Sequence, residues 1–463
     1  MASGCTLTTL ANVEPRCKRI QKNASGAGFI RSLACEFTYL SCGAIPARRM
    51  AGHILETRLM TRTMHLNRLP FVVLATCFAC TYAKPVSTPS VGVHPTRVVG
   101  YLASWGVRSK GTRIAQLPAK DLTHIFYAFA KIGNDGRVTL GDPCLDIGVC
   151  ESAPAVDSGG NFAELERLKQ RNPHLKLVVS IGGWTGSGKF SDAALTDASR
   201  RLFTESAIDV FIRQRPGLVD GIDIDWEFPV AGGMKGNVER PADKENFTLL
   251  LAELRRQLDA QGAIDGRHYE LAIAASAGPR GFANIEIASI TPLLDFINVM
   301  TYDYHSGSSR TGFNSPLYAA KGDPTPEFNV DATMRRFLDA GVPASKLLVG
   351  IPFYGRGYGS VPSVNDGLFQ PGTGSPSGWR ARDGDWNVLS QTRLKDPHYV
   401  RYWESSARVP WLYDSTSGTW VSYDDPQSVG EKVRYVRERG LGGVVIWELG
   451  GDDGSLMRAI SAK

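Results

Sequence analysis

The chain has 463 residues, 43% of them hydrophobic, with eight Cys and a formal net charge of +6. That is enough apolar material for a large core, although the first 83 residues do not look like part of it. The charge does not describe the whole chain: residues 1–83 hold ten Lys and Arg against three Glu, whereas residues 84–463 hold 42 basic and 43 acidic residues, so a nucleic-acid partner loses its support.

The basic leader reads as targeting rather than fold. Downstream of Met64, Arg68 supplies a positive flank, Leu69 to Cys80 form a 12-residue apolar stretch, and Ala83 is a small residue at a cut. This is the form of an export signal. The alternative, a membrane anchor, falls short of the ~20 residues a spanning helix needs, and Pro70 interrupts the stretch. The expected location is therefore secreted, into the extracellular space or a periplasm, with no membrane association in the mature form. Residues 1–63 lie upstream of a complete signal and read as a disordered, over-extended start, with Met64 or Met60 the working initiator; residues 84–96 read as a short linker. Beyond the leader only Cys144 and Cys150 remain, six apart in a loop. An oxidising compartment favours a local disulfide between them, a reduced pair being the alternative.

From residue 97 onward, apolar strand-like runs alternate with helical periodicity. The runs are Val98 to Ser104, Thr123 to Ala130, Leu175 to Ile181, Val219 to Trp226, Tyr269 to Ser276, Phe296 to Tyr302, Leu347 to Pro352 and Gly443 to Glu448. Amphipathic stretches lie between several of them: Asn161 to Gln170, Thr196 to Arg213, Asp243 to Gln261 and Asn329 to Ala340, with apolar residues three and four apart. Asp243 and Asn329 are expected to cap their helices. Eight alternations predict an α/β fold of the (β/α)8 TIM-barrel type. The connection between the seventh and eighth runs is about 90 residues long, with Val429 to Arg439 as the barrel helix and residues 358–423 as a small α+β insertion subdomain. The barrel itself is then 97–357 and 424–463. The insertion holds Trp379, Trp386, Trp403, Trp411 and Trp420, five of the nine Trp, most of them expected in its own small core.

The fourth run carries the most information. Asp223, Asp225 and Glu227 are spaced by two, so on a strand they share one face, while Ile222, Ile224 and Trp226 share the other. Three adjacent carboxylates repel one another and resist desolvation, which favours chemistry over stability. A solvated strand edge fits poorly with the apolar counter-face. A hard-cation site would be the other use of such oxygens, but no supporting His or Asp loop is evident, and no metal or other cofactor is expected. Asp220 has the opposite parity and reads as structural. The active site of such a barrel lies at the carboxyl ends of the strands, where Trp105, Trp184, Tyr302, Asp303, Tyr354, Arg356 and Trp447 also fall. Aromatic faces with carboxylates between them suit a sugar cleft, because pyranose rings stack on indoles while their hydroxyls seek acceptors.

These residues resemble glycoside hydrolase family 18 chitinases, in particular bacterial-type members with an α+β insertion between strands seven and eight. Residues 220–227, DGIDIDWE, fit the family's DxxDxDxE signature, and Ser180-Ile181-Gly182-Gly183 fit its SxGG motif. Met300-Thr301-Tyr302-Asp303-Tyr304, Tyr354-Gly355-Arg356 and Trp447 also look like the family's, and the likeness spans residues 97–461. The resemblance implies that Glu227 is the general acid and base, that Asp225 holds the substrate acetamido group with Asp223 behind it, and that Tyr302 donates to the acetamido carbonyl. It also implies that Trp447 floors the reacting sugar, that Asp303, Met300, Arg356, Trp184, Trp105 and Tyr101 line the substrate path, and that Ser180 and Tyr101 support the acids. The implied activity is retaining, substrate-assisted hydrolysis of chitin or N-acetylglucosamine oligosaccharides by a monomer. An endo-β-N-acetylglucosaminidase acting on glycoprotein glycans and a non-catalytic chitin-binding lectin are the alternatives; the lectin would be expected to lack the acid. Amino-terminal sequencing of secreted protein is expected to begin near Lys84, and recovery of residues 1–63 intact would overturn the processing scheme.

Overall fold

The computed structural model describes residues 97–150 and 159–462; the expected start region, export signal and linker lie outside the described residues. The strands in chain order are β1 (Arg97–Ala103), β2 (His124–Ile132), β3 (Val138–Thr139), β4 (Lys176–Gly182), β5 (Gly221–Asp225), β6 (Glu270–Ser276), β7 (Phe296–Met300), β8 (Leu347–Pro352), β9 (Arg356–Tyr358), β10 (Val400–Glu404), β11 (Val409–Asp414), β12 (Thr419–Ser422) and β13 (Gly443–Trp447). Eight of them, β1-β2-β4-β5-β6-β7-β8-β13, pair in parallel, and β1 pairs with both β2 and β13, so the sheet closes into a (β/α)8 barrel. The long helices outside it are α1 (Gly160–Arg171), α2 (Asp197–Ile208), α3 (Asp243–Asp265), α4 (Val330–Asp339) and α5 (Pro426–Glu438).

Each barrel strand buries both faces. Ile222, Ile224 and Trp226 pack outward into the core shared with the helices, while Tyr101, Phe126, Val178, Phe296, Leu348 and Val445 fill the lumen. The period of two predicts this division, and the register Ser180 to Asp223 and Gly182 to Asp225 keeps Ser180 on the acids' side. A bulge in β2 sits between Ala128 and Ala130. The extra residue, Phe129, packs with the lumen cluster rather than the outer core, as a bulge re-aims a side chain.

Several local expectations need correction. Asn329 does cap α4, accepting from Ala332 N at 2.8 Å. Asp243 does not cap α3: it lies inside the first turn, and its carboxylate instead accepts from Ser191 Oγ at 2.5 Å and Arg240 N at 2.8 Å, tying two loops together. The expected helix to Arg213 is regular only to Ile208 and continues as a π-type turn from Asp209. The run from Val219 to Trp226 pairs as a strand only over Gly221–Asp225: its ladder with β4 ends at Gly182 opposite Asp225 and its ladder with β6 at Ile273 opposite Ile224, although β6 itself runs on to Ser276.

Between β8 and α5 lies an antiparallel sheet in the order β10-β11-β12-β9, beginning at Arg356, two residues before the expected boundary. Its core holds Trp411 and Trp420 with Phe313, Tyr358 and Leu368. Trp386 is not part of that core. It packs with the barrel's, stacked on Tyr423 and donating from Nε1 to Ser455 Oγ at 2.8 Å, while Trp379 and Trp403 are half-exposed. Cys144 and Cys150 form a disulfide in the loop after β3. Among the described residues no helix is long and apolar enough to cross a membrane.

Where the chain returns from this sheet to α5, Asp424 and Lys432 form an ion pair at 2.7 Å with both side chains 0% exposed, joined by Ser315 and Ser428. Removing one partner of such a pair typically costs ~3–5 kcal/mol, while replacing both with apolar groups costs much less. Lys432→Met is therefore expected to lose about that much stability in denaturant unfolding, and Asp424→Leu/Lys432→Met to recover most of it; equal stability of the two variants would sink this assignment.

Candidate active site

The acids line up along the carboxyl end of β5. Asp223 is fully buried, and its Oδ2 accepts from Tyr101 Oη at 2.8 Å and Ser180 Oγ at 2.7 Å. Its Oδ1, like Oδ1 of Asp225, is buried without a hydrogen-bond partner. Burial pushes Asp223 up to about 6, opposed by the hydrogen bonds it receives. Asp225, also buried, is held well above the carboxylate range by desolvation and then by the charges of Glu227 and Asp223. Glu227 is half-buried at the mouth, walled closely enough that desolvation, with the charge of Asp303 added, raises it to about 7. One strand and its end thus carry a bottom acid with two donors, a middle acid with none, and a top acid raised toward neutral pH.

Glu227 lies beyond the last strand pair, so the ladder does not fix its direction. Its N–H donates to Ser187 Oγ at 2.8 Å, and Asn237 Nδ2 donates to its carbonyl at 3.1 Å. The two glycines of the SxGG segment make room here. At Gly182, φ is +112° and a Cβ would sit 2.3 Å from Asp225 O; at Gly183, φ is +76° and a Cβ would sit 2.4 Å from the Phe129 ring. No other residue fits either place without moving the acid strand or Phe129.

Tyr302 and Asp303 follow β7. Burial keeps the Tyr302 hydroxyl protonated, with the charges of Asp225 and Glu227 adding to the effect, and Gly350 gives its ring space, since a Cβ there would lie 2.8 Å from Cε1. Asp303 accepts two hydrogen bonds from Arg356, both at 2.7 Å, so these two residues, expected to touch substrate, first bind each other. Tyr101, expected both on the substrate path and as a support for the acids, is buried with its hydroxyl turned to Asp223. Met300 ends β7 half-buried. Trp447 stacks on Phe129 with centroids 5.6 Å apart and leans on Tyr101 at 5.4 Å, while Trp105 and Trp184 are 43% and 48% exposed at the rim. Asp220, at the start of the strand, accepts from Leu177 N at 2.7 Å and pairs with Lys169 and Arg267, the structural place expected of it.

Sequence reasoning missed Asn298. Its amide is buried in the lumen close enough to Asp223 to oppose the rise in its pKa, yet neither polar atom makes a hydrogen bond of normal geometry. The signal was available, because Asn298, Met300 and Tyr302 share one parity. Ser187 and Asn237 carried no signal: both act on Glu227 through the backbone, 40 and 10 residues away. Among the described residues no cluster of three His, Cys, Asp or Glu is placed to hold a metal ion.

Comparison with known proteins bears on this constellation. The profile of glycosyl hydrolases family 18 matches residues 97–452. The chain belongs to this family. Within it, the chain is 40% identical over 416 residues to chitinase A1 of Niallia circulans, covering 79% of this chain but 59% of that protein. It is 34% identical to endochitinase 1 of Metarhizium robertsii, covering 80% of this chain and 86% of that one. Among solved structures it resembles chitinase ChiA74 from Bacillus thuringiensis, with a TM-score of 0.73, 34% identity, and coverage of 79% of this chain and 69% of that one. Family 18 membership makes the acid ladder the place to look for glycosidic bond cleavage.

The field on Glu227 yields a pH prediction. Asp303→Asn removes a negative charge that raises Glu227 and frees Arg356, which lowers it further; both effects have the same sign. The alkaline limb of hydrolysis is expected to move down by about one pH unit, measured as kcat/KM against pH. An unmoved or rising limb would separate Asp303 from the acid.

Proposed function

We propose that this chain is a secreted chitinase that cleaves β-1,4 bonds between N-acetylglucosamine units with retention, Glu227 being the general acid and base. The observation that carries the reading is the Glu227 carboxyl, raised to about 7 beside two buried acids on the same strand. A group so tuned keeps a proton to give to the glycosidic oxygen and can take one back from water.

The nucleophile is the remaining question. Asp225 lies one pleat from Glu227 and cannot reach the opposite face of the sugar, where a protein nucleophile must stand. Asp303, the carboxylate that acts on Glu227 from another strand, is clamped by Arg356. The substrate's own acetamido carbonyl supplies the attack. Its oxygen bonds to the anomeric carbon as the bond to the leaving oxygen breaks and Glu227 passes its proton to that oxygen. Water then opens the oxazolinium from the other face, giving its proton to Glu227. Asp225, with its free buried oxygen, takes the acetamido N–H, and the Tyr302 hydroxyl donates to the carbonyl. Positioning of this kind supplies several kcal/mol, within the ~7–11 kcal/mol available to intramolecular attack.

The partner is chitin or its oligosaccharides, a substrate class carried by the names of the relatives. Export through cleavage near Ala83 belongs to the same proposal. Glu227→Gln is expected to lower turnover of chitin oligosaccharides by ~10²–10⁴ while calorimetry still registers their binding, and the first product is expected to be the β anomer by proton NMR. Near-normal turnover would remove Glu227 as the acid. An α anomer would overturn the mechanism, and glycan release from glycoprotein in preference to chitin would favour the endo-β-N-acetylglucosaminidase.

A further inference from the structure

Beside the lumen mouth, the segments that follow β1, β2 and β4 enclose a cavity of about 400 Å3 lined in part by Trp105, Phe129, Asp142, Thr185, Lys131 and Lys189. This volume falls in the range of small-ligand sites, ~300–1,000 Å3. Rings connect the cavity to the acids: Phe129 stacks on Trp447 at 5.6 Å, and Trp105 lies 6.1 Å beyond Phe129. A sugar chain whose reacting unit rests on Trp447 and which follows these faces places another of its units in the cavity.

The charge in this cavity is unbalanced, with two ammonium groups against one carboxylate. The Asp142 carboxylate is engaged by the backbone N–H groups of Cys144 and Leu145 at 2.9 and 3.2 Å, as the cap of the short helix Pro143–Ile147. Lys189 donates to the amide oxygen of Asn134, a neutral partner. Among the described residues neither Lys131 nor Lys189 stands within ion-pair distance of a carboxylate. The aromatic wall accepts the apolar face of any pyranose, so ring stacking alone does not distinguish an acetylated unit from a deacetylated one. The two ammonium groups do.

We propose that this cavity is a charge-selective sugar position, in which Lys131 and Lys189 admit an N-acetylated unit and turn away a deacetylated, cationic one. The proposal rests on the chitin-degrading reading above. It gives Lys131 and Lys189, which touch none of the acids, a role in deciding which polymer sequences are cut. Like charges a few ångströms apart at a partly solvated wall correspond to roughly a tenfold preference, and a surface effect of this kind weakens with salt.

The test is digestion of partially acetylated chitosan at about pH 5.5, where the free amines are protonated, with the new chain ends sequenced by mass spectrometry. Apart from the reacting unit, whose acetamido group the mechanism itself requires, one further position at a fixed number of units from the cut is expected to be enriched in acetylated units by about tenfold, and about 0.5 M salt to erode that enrichment. The Lys131→Gln/Lys189→Gln variant is expected to lose most of it, scored as its rate on chitosan relative to its own rate on fully acetylated oligomer. Enrichment unchanged in the variant, or insensitive to salt, would overturn the proposal. Calorimetry on Glu227→Gln protein, with and without the lysine substitutions, reads the same discrimination from acetylated and deacetylated oligosaccharides without turnover. Absence of hydrolysis therefore overturns the chitinase reading, and equal relative affinities in calorimetry overturn the role of the lysines.

Discussion

Desolvation of three carboxylates on one strand is the constraint around which the rest of the site is arranged. Each acid, withdrawn from water, must find donors, share a proton or stay protonated, and each takes a different course. Asp223 accepts from Tyr101 and Ser180 through a single oxygen, Asp225 has no donor and is held well above the carboxylate range, and Glu227 stops at about 7. Because the three interact, their protons leave as a coupled set. That coupling ties the proton affinity of the acid at the mouth to the charge state of its buried neighbour.

The arrangement depends on register. Tyr101 and Ser180 come from β1 and β4 and meet on one oxygen of a third strand, β5, through the pairings Tyr101 with Phe126, Ala128 with Ser180, and Ser180 with Asp223. Slipping any of these strands by one residue would turn its donors to the helix side, since the side-chain period is two. The apolar counter-face of Ile222, Ile224 and Trp226 guards against that slip, because it would bring three acids against the helices.

This explains which parts were legible in the sequence. The acid ladder is local: its spacing and its apolar reverse can be read in eight residues, and the eight strands follow from alternation of apolar runs with helical periodicity. The glycines of Ser180 to Gly183 were read only through the family resemblance; the carbonyl of Asp225 and the ring of Phe129 that exclude a side chain there lie far off in the chain. What escaped reading was set by distant partners. Asp243 stands where a cap would stand, but Ser191, 52 residues away, claims its carboxylate. Trp386 lies in a Trp-rich stretch, but its indole N–H finds Ser455 and its ring finds Tyr423, so it joins the barrel. Arg356 and Asp303 read as substrate ligands, and the two-bonded pair they form with each other across 53 residues carried no local signal.

The rim shows how recognition and chemistry are joined. Lys110, just beyond β1, reaches Glu448 at 2.6 Å, next to Trp447, and Asp385 at 2.9 Å, in the segment between β9 and β10. One half-buried cation thereby ties the segment after the first strand, the last strand end and the inserted segment together beside Trp447. On the other side Arg356, the first residue of the inserted sheet, holds Asp303 beside Glu227. The inserted segment is therefore anchored at two charged points, one beside the proposed floor of the sugar site and one in the field of the acid. Asp303 belongs to both the rim and that field, so a contact that drew Arg356 away from it would leave Asp303 less neutralised and raise Glu227 further. The proton affinity of the acid is in this way tied to the inserted sheet through a single ion pair.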